Sequence, residues 1–330
     1  VSDVAAATAD ARWMGAALAL AERGVGRTGV NPSVGCVIVS QAGHVVGRGV
    51  TQAGGRPHAE AAALARAGAA AAGSTVYVTL EPCAHVSTRG AACADLLVAA
   101  RPARVVVARG DPDPRTDGQG IARLRAAGIA VTEGVRAAEA ARTMAGFLAR
   151  RRWGRPHVTL KLATSLDGCI ALASGESRWI TGAEARAHAH LERARHGAIL
   201  VGRGTLTADA PALDVRLPGL ADRAPARYLL STTTPAPEGW TRLAAPADIA
   251  TITQDELLVE GGAGAAAAFL AADLVDRLLL YRAPVLIGGG RPALGDIGLG
   301  TLAAAHGRWR LHDARTLGSD RLEVYERDRN

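Results

Sequence analysis

At 330 residues, with 48% hydrophobic and only 3% aromatic side chains, the chain is long enough for two ordinary domains with cores of Ala, Val, Leu and Ile, and its composition excludes disorder. The formal charge of +7 comes from scattered arginine, Lys161 being the only lysine. No basic block or interleaved aromatic strip offers a nucleic-acid track, so the excess fits either a phosphate-gathering cleft or an arginine-preferring composition. Four cysteines do not make a secreted disulfide framework at this length, and there is neither an apolar leader nor an uncharged apolar run of eighteen residues. The expectation is a cytoplasmic protein that does not enter a membrane.

Residues 10 to 23 carry apolar groups at helical spacing, with Trp13 and Leu20 toward a core and Gly24 and Gly26 as the stop. N-P-S-V-G leads into the strand C-V-I-V-S at 36 to 40, and a turn at Gly43 returns the chain as H-V-V-G-R-G, the opening hairpin of a mixed sheet. A helix is predicted from His58 to about Ala71, then a strand at 75 to 80, a loop to Cys93 and a helix at 93 to 100. The strand 104 to 108, the helix 120 to 127 and the strand 129 to 132 follow. Such alternation predicts a layered α/β domain.

A last helix, 137 to 150, ends a first domain at 1 to 150, and R-R-W-G-R-P at 151 to 156 reads as a linker. The second domain, 157 to 330, opens on the strand H-V-T-L-K-L-A. A helix at 183 to 195 and a strand at 198 to 201 come next, with Gly202 and Gly204 in a turn after them. From 218 to 249 the signal is poor apart from Y-L-L at 228 to 230. L-L-V-E-G-G-A-G then reads as strand, glycine turn and helix, L-L-L-Y-R as another strand, and W-R-L-H with R-L-E-V-Y-E as the closing edge.

The chemistry of the first half gathers between His58 and Cys93. P-H-A-E at 57 to 60, E-P-C at 81 to 83 after a strand, and Cys93 at a helix start supply one imidazole and two thiolates, a set suited to zinc with one position left for water. His58 and Cys93 each begin a predicted helix, where backbone N–H groups favour thiolate. Glu60, two residues past His58, is near the metal without ligating it and can move protons. The competing readings are a capping histidine with small core cysteines, as Cys36 and Cys169 are read, and a structural zinc with His85 as fourth ligand.

N-P-S-V-G-C-V-I-V, A-G-G-R-P-H-A-E, Y-V-T-L-E-P-C-A-H, K-L-A-T-S-L-D-G, S-G-E-S-R-W-I-T and Y-R-A-P-V-L-I-G-G-G together resemble, over nearly the whole length, the bifunctional pyrimidine deaminase/reductase family of riboflavin biosynthesis. The resemblance implies an α/β fold with an N-terminal cytidine-deaminase-like, three-layer domain on a mixed sheet and a C-terminal dihydrofolate-reductase-like domain. It implies zinc on His58, Cys83 and Cys93, a proton shuttle at Glu60, and Asn31 in the pyrimidine pocket. It implies deamination of a diaminopyrimidine bearing a ribosylamino 5′-phosphate, then NADPH-dependent reduction of ribosyl to ribityl. In the second domain Lys161 is the candidate for stabilising the opened sugar or carrying a proton. Ser177, Arg193 and Arg216 match substrate or phosphate contacts and Glu260 a sugar-side contact. Thr164, Trp179, Thr205, Asp209 and the glycines 261, 262 and 264 match cofactor positions. The family also implies a homodimer or larger homo-oligomer.

Departures fall mainly in the deaminase half. C-A-H-V-S-T-R-G-A-A-C stands where the family usually has the shorter C-x-H-H-G-R-T-P-P-C, and Val50 and Thr51 replace a usual Tyr-His. Asp209, Ala210 and Pro211 stand where the family has two aspartates before the proline. Arg89 in the altered loop is a candidate for a phosphate contact. Open beside the family reading are a deaminase pocket moved to another substrate, a first domain reduced to a zinc-stiffened structural module, and, more distantly, a nucleic-acid deaminase.

Overall fold

An alanine-rich helix, α1 (Ser2–Gly24), opens the chain in the computed structural model, which describes residues 2–85 and 90–329. Met14, Ala17, Leu18 and Ala21 recur at intervals of one helical turn and are buried, while Arg12 and Ala16 face water. The buried stripe lies on a five-stranded sheet ordered β2 (Val45–Val50), β1 (Gly35–Val39), β3 (Thr75–Val78), β4 (Arg104–Val107) and β5 (Ala130–Glu133). β1 runs antiparallel to β2 and β3, and β3, β4 and β5 are parallel, giving the mixed sheet expected from the opening hairpin. Arg104 grips Asp10 through two hydrogen bonds of 3.0 and 2.6 Å, and Tyr77 donates to the same carboxylate at 3.1 Å, tying α1 to the sheet.

The helices α2 (Ala59–Ala67), α3 (Cys93–Ala100) and α4 (Gln119–Ala126) complete the layers. A Cβ at Gly47 or Gly49 of β2 would run into the carbonyls of Ala63 and Ala59, so bare backbone there lets α2 lie close to the sheet. α2 stops at Ala67 and a 3-10 turn covers Gly68–Ala71, so the helix expected to reach Ala71 changes character in its last turn. The helix expected at 137 to 150 is two, α5 (Ala137–Thr143) and α6 (Ala145–Trp153), because Met144 leaves helical geometry and buries its side chain in the core.

The chain divides into two compact units, Val1–Trp153 and Gly154–Asn330. The linker expected at 151 to 156 is shorter than the sequence suggests. Arginine is a good helix former, so α6 continues through Arg151 and Arg152, and Arg151 also pairs with Asp113 at 3.2 Å. Regular structure breaks only at Gly154, where φ is +67°.

The second unit is built on eight strands: β6 (His157–Thr164), β8 (Ala198–Gly202), β9 (Ala226–Leu230), β10 (Trp240–Leu243), β11 (Glu256–Val259), β12 (Arg277–Arg282), β14 (Trp309–Leu317) and β15 (Asp320–Arg327). Their order is β10-β9-β8-β11-β6-β12-β15-β14, parallel from β10 to β12 with an antiparallel hairpin at the end. A separate pair joins β7 (Cys169–Ala171) to β13 (Arg291–Pro292). The core contains Leu160, Leu200, Leu257, Ile249 and Phe269.

The helices are α7 (Ala183–Arg195), α8 (Arg203–Asp209) and α9 (Ala263–Ala271). The turn expected at Gly202 and Gly204 is the start of α8 instead, with Gly202 as its cap. The weak stretch from 218 to 249 holds β9 and β10. β10 lies at the sheet edge with Thr241 and Arg242 exposed, so it lacks the apolar alternation that marks a strand.

His157 and Glu256 face each other across β6 and β11, with His157 Nδ1 3.2 Å from Glu256 Oε2, close enough for an ion pair but poorly directed for a hydrogen bond. Burial, the largest single cause, pulls the imidazole pKa down, but Glu256 and Asp276 together outweigh it, and the net shift is upward. The raised value means the pair stabilises the fold fully below about pH 6.5. That contribution is lost as pH rises through the folded-state pKa. Melting temperature of the second unit, followed from pH 6 to 9, is expected to decline more steeply in the native chain than in His157→Gln.

Candidate active sites

Strand ends and helix starts bring the metal-ligand candidates together. His58 caps α2, Cys83 follows β3 and Cys93 is the first residue of α3. Their ligand atoms all lie within 4.8 Å of one another, His58 Nδ1 being 3.6 Å from Cys83 Sγ and 3.4 Å from Cys93 Sγ. The Cys93 backbone N–H donates to Cys83 Sγ at 3.3 Å and the Ala94 N–H to the Cys83 carbonyl at 3.1 Å, which fixes the two cysteines relative to each other. The hydrogen bond from the Cys93 thiol draws the Cys83 pKa down to about 4, and the same bond holds Cys93 up. The pair thus gives up one proton readily, and a bound cation would displace the second to solvent. One nitrogen and two sulfurs at this spacing fit zinc, and a three-residue set leaves a coordination position open.

His85 is not in this group. Its Nδ1 lies 3.4 Å from Thr116 Oγ1. Among the described residues the cluster has no fourth protein ligand.

Glu60, in the first turn of α2, is 3% exposed and hydrogen-bonded to Cys93. Burial is the main cause that pushes its carboxyl up to about 7, with His58 opposing. Asn31 donates through Nδ2 to the Thr28 carbonyl at 3.2 Å and packs on Gly55. Gly55 has φ +88°, and a Cβ there would overlap the Asn31 amide. Gly55→Ala is therefore expected to displace Asn31 and raise the deaminase KM roughly tenfold or more, with zinc content unchanged. Steady-state ammonia release and metal analysis on one preparation would check it.

Thr51 is buried and its Oγ1 accepts from the Val34 N–H at 3.0 Å, so this departure from the family pattern serves as a backbone tie. Arg89 lies outside the described residues.

A residue of the quoted motif that sequence reasoning left without a role is Glu81. Its buried carboxylate accepts four backbone N–H bonds, from Asp111 (3.2 Å), Gly118 (3.0 Å), Gly120 (2.9 Å) and Ile121 (3.1 Å). It therefore fastens the loop before α4 to the segment that carries Cys83, and this loop presents Thr116 to His85. Its place in E-P-C was the available signal.

In the second unit a cavity of about 940 Å³ opens at the carboxyl ends of the parallel strands, where ligands bind in such sheets. Lys161 on β6, Glu260 after β11 and Arg193 on α7 meet in its wall. Arg193 holds Glu260 with both arms of its guanidinium, at 2.7 and 2.9 Å, and its third nitrogen donates to the Asp214 carbonyl at 3.0 Å. Lys161 Nζ stands 3.9 Å from Glu260 Oε2. Burial alone would raise the Glu260 pKa, but Arg193 and Lys161 lower it on balance and keep the carboxylate ionised. Arg193, for which a substrate or phosphate contact is expected, lines this cavity with its fork engaged by Glu260.

Ser177, Arg216, Trp179, Thr205 and Asp209 also line the cavity, as do the glycines 261, 262 and 264. Thr164 does not: it is buried at the end of β6, where its carbonyl accepts from Ala283 N–H at 2.9 Å. Gly262 N–H donates to Thr205 Oγ1 at 3.0 Å, joining the starts of α8 and α9. The space beside Gly204 and Gly264 is open, so two helix starts face a cleft that backbone can approach, a cradle fitted to the diphosphate of a dinucleotide such as NADPH.

Residues 7–109 match the cytidine and deoxycytidylate deaminase zinc-binding region, and residues 156–253 and 247–322 match the RibD C-terminal domain. The riboflavin biosynthesis protein RibD of Mycobacterium tuberculosis is 40% identical over 324 residues, covering 94% of this chain and 95% of that protein. RibD of Escherichia coli is 49% identical over 219 residues, covering 66% of this chain but only 59% of its own length. The crystal structure of a Thermotoga maritima diaminohydroxyphosphoribosylaminopyrimidine deaminase/5-amino-6-(5-phosphoribosylamino)uracil reductase superposes with a TM-score of 0.85 at 28% identity, covering 98% of this chain and 99% of that one.

Proposed function

The chain belongs to the riboflavin biosynthesis RibD family, and from that premise we propose that it deaminates 2,5-diamino-6-ribosylamino-4(3H)-pyrimidinone 5′-phosphate and then reduces the ribosyl side chain of the product to ribityl. The observation that carries the reading is the His58, Cys83 and Cys93 cluster with the buried Glu60 carboxyl beside it. Zinc, when bound, supplies a Lewis acid that makes water nucleophilic near neutral pH. Asn31 presents an amide to the pyrimidine edge, where it can both donate and accept. Glu60 takes a proton from the attacking water and returns it to the ring nitrogen and the departing ammonia, a transfer its buried carboxyl suits because it changes state near neutrality.

In the second unit NADPH, when bound, supplies a hydride. Glu260 holds the Lys161 ammonium at the cavity wall, where it can stabilise the oxygen of the opened sugar or deliver the proton that accompanies the hydride. The phosphate end of the substrate is assigned to Ser177 and Arg216, which line the same cavity. Family membership supports a homodimer or larger assembly. No helix of the described residues is long and apolar enough to cross a membrane.

The test is ammonia release by the zinc-loaded chain given the diaminopyrimidine phosphate, with NADPH oxidation followed in the same cuvette. Ammonia first and NADPH consumption second is the expected order. NADPH consumption only when the already deaminated intermediate is supplied would overturn the deaminase assignment for this substrate.

A further inference from the structure

His190 has no part in the chemistry described so far. It lies on α7, three residues before Arg193, and does not line the reductase cavity. Its ring nitrogen Nδ1 meets two groups of the segment after α8, the Asp214 carbonyl at 3.1 Å and the Arg216 N–H at 3.2 Å. One nitrogen makes only one of these bonds at a time. Bare, it accepts from Arg216; carrying a proton, it donates to Asp214.

The neighbouring contacts favour the bare form. Arg193 already donates to the Asp214 carbonyl at 3.0 Å, so a bare Nδ1 leaves both that carbonyl and the Arg216 N–H partnered. A protonated Nδ1 crowds a second donor onto the carbonyl and deprives the Arg216 N–H of its acceptor. The surrounding charges act in the same direction. Burial, then Arg193 and Arg216, hold the imidazole pKa below its ordinary value against the opposing pull of Asp214. Arg186, one turn back on α7, adds positive charge and Glu260 adds negative. Asp222 and Arg223, on the 3-10 turn packed against α7, carry opposite charges, and Glu256 of β11 is paired with His157. His190 is therefore mainly neutral at pH 7.

The segment it touches needs a tether. Leu213 and Val215 are buried, and Asp214 and Arg216 between and after them line the cavity. Ala210 and Leu213 have φ of +40° and +51°, a region that non-glycine residues adopt only when their surroundings hold them there. The salt bridge within the segment does not supply that hold: Asp214 Oδ1 lies 3.4 Å from Arg216 Nε and makes no hydrogen bond. His190 and Arg193, one turn of the same helix, grip the segment at two adjacent backbone groups.

We propose that His190 is a positioning residue of the reductase: neutral, it docks residues 213 to 216 on α7 and presents Arg216 to the phosphate end of the substrate, and protonated, it releases them. The inference rests on the reading of Arg216 as a phosphate contact.

Initial rates of reduction of the deaminated intermediate by the zinc-loaded full chain, at saturating NADPH from pH 5.5 to 8, test it. His190→Leu, which has no acceptor, is expected to raise KM for the intermediate roughly fivefold at pH 7.5 with kcat within about twofold. His190→Asn offers an amide oxygen near the place of Nδ1 and does not titrate, so it should restore most of the native KM. The substrate phosphate itself gains a proton near about pH 6, which raises KM in every variant. The native chain should show a further rise of about threefold between pH 7.5 and 5.5 that His190→Asn lacks. Parallel native and His190→Asn curves, or a native KM that falls relative to His190→Asn in acid, would overturn the assignment. An unchanged KM in His190→Leu would do the same. Arg216→Ala tests the underlying reading separately: it should raise KM at least about tenfold and erase the pH difference. An unchanged KM there removes Arg216 from phosphate binding, and the role of His190 goes with it.

Discussion

Glu60→Gln is expected to lower ammonia release by a factor of roughly 10² to 10⁴ while zinc content stays at one equivalent. Gln is close in shape to Glu and retains hydrogen-bonding capacity toward Cys93, so the metal cluster keeps its neighbour. The variant loses only the ability to accept and return a proton. Because Glu60 is 3% exposed, few waters can take over that transfer. Reduction of the deaminated intermediate should be unaffected, because Lys161, Glu260 and the cavity belong to the other unit. Metal analysis, ammonia release and NADPH oxidation on one preparation separate the outcomes. Ammonia release within a few-fold of the native chain would remove Glu60 from the mechanism and leave the metal centre without an assigned proton carrier.

The zinc cluster was legible in the sequence because each ligand sits at an element boundary that can be read locally. His58 precedes a helical run, Cys83 follows an apolar strand and Cys93 opens another helix, so only their mutual approach needed a fold. Glu81 was not legible in the same way. Its four partners are backbone N–H groups 30 to 40 residues further along, and a sequence does not say which amides will meet which carboxylate. The resemblance marks Arg193 as a substrate or phosphate contact, but its bond to Glu260, 67 positions away in the chain, is not legible in the sequence. The linker read at 151 to 156 contains the boundary between the two units but is longer than the break itself, for a different reason. Three arginines looked like a solvated break, yet their helix propensity and the contact of Arg151 with Asp113 carry α6 to Trp153. Edge strand β10 escaped detection because exposure on both faces erases the period-two signal.

The pairing of Glu260 with two cations also separates stability from chemistry in the reductase. Lys161→Met leaves the Glu260 carboxylate in its bidentate bond to Arg193, so the fold should lose little, while reduction should fall at least a hundredfold because the only amine at the cavity wall is gone. Glu260→Gln removes the shared anion and leaves Arg193 and Lys161 facing each other across a buried wall. Breaking one member out of a buried ionic set typically costs about 3–5 kcal/mol. This variant should therefore lose reduction and also lower the thermal transition of the second unit, with ammonia release by the first unit preserved. Melting curves alongside NADPH oxidation of the deaminated intermediate distinguish the two variants. If Lys161→Met destabilises the unit as much as Glu260→Gln does, the lysine is a structural counter-ion, and the proton that accompanies hydride transfer must come from another group in the cavity.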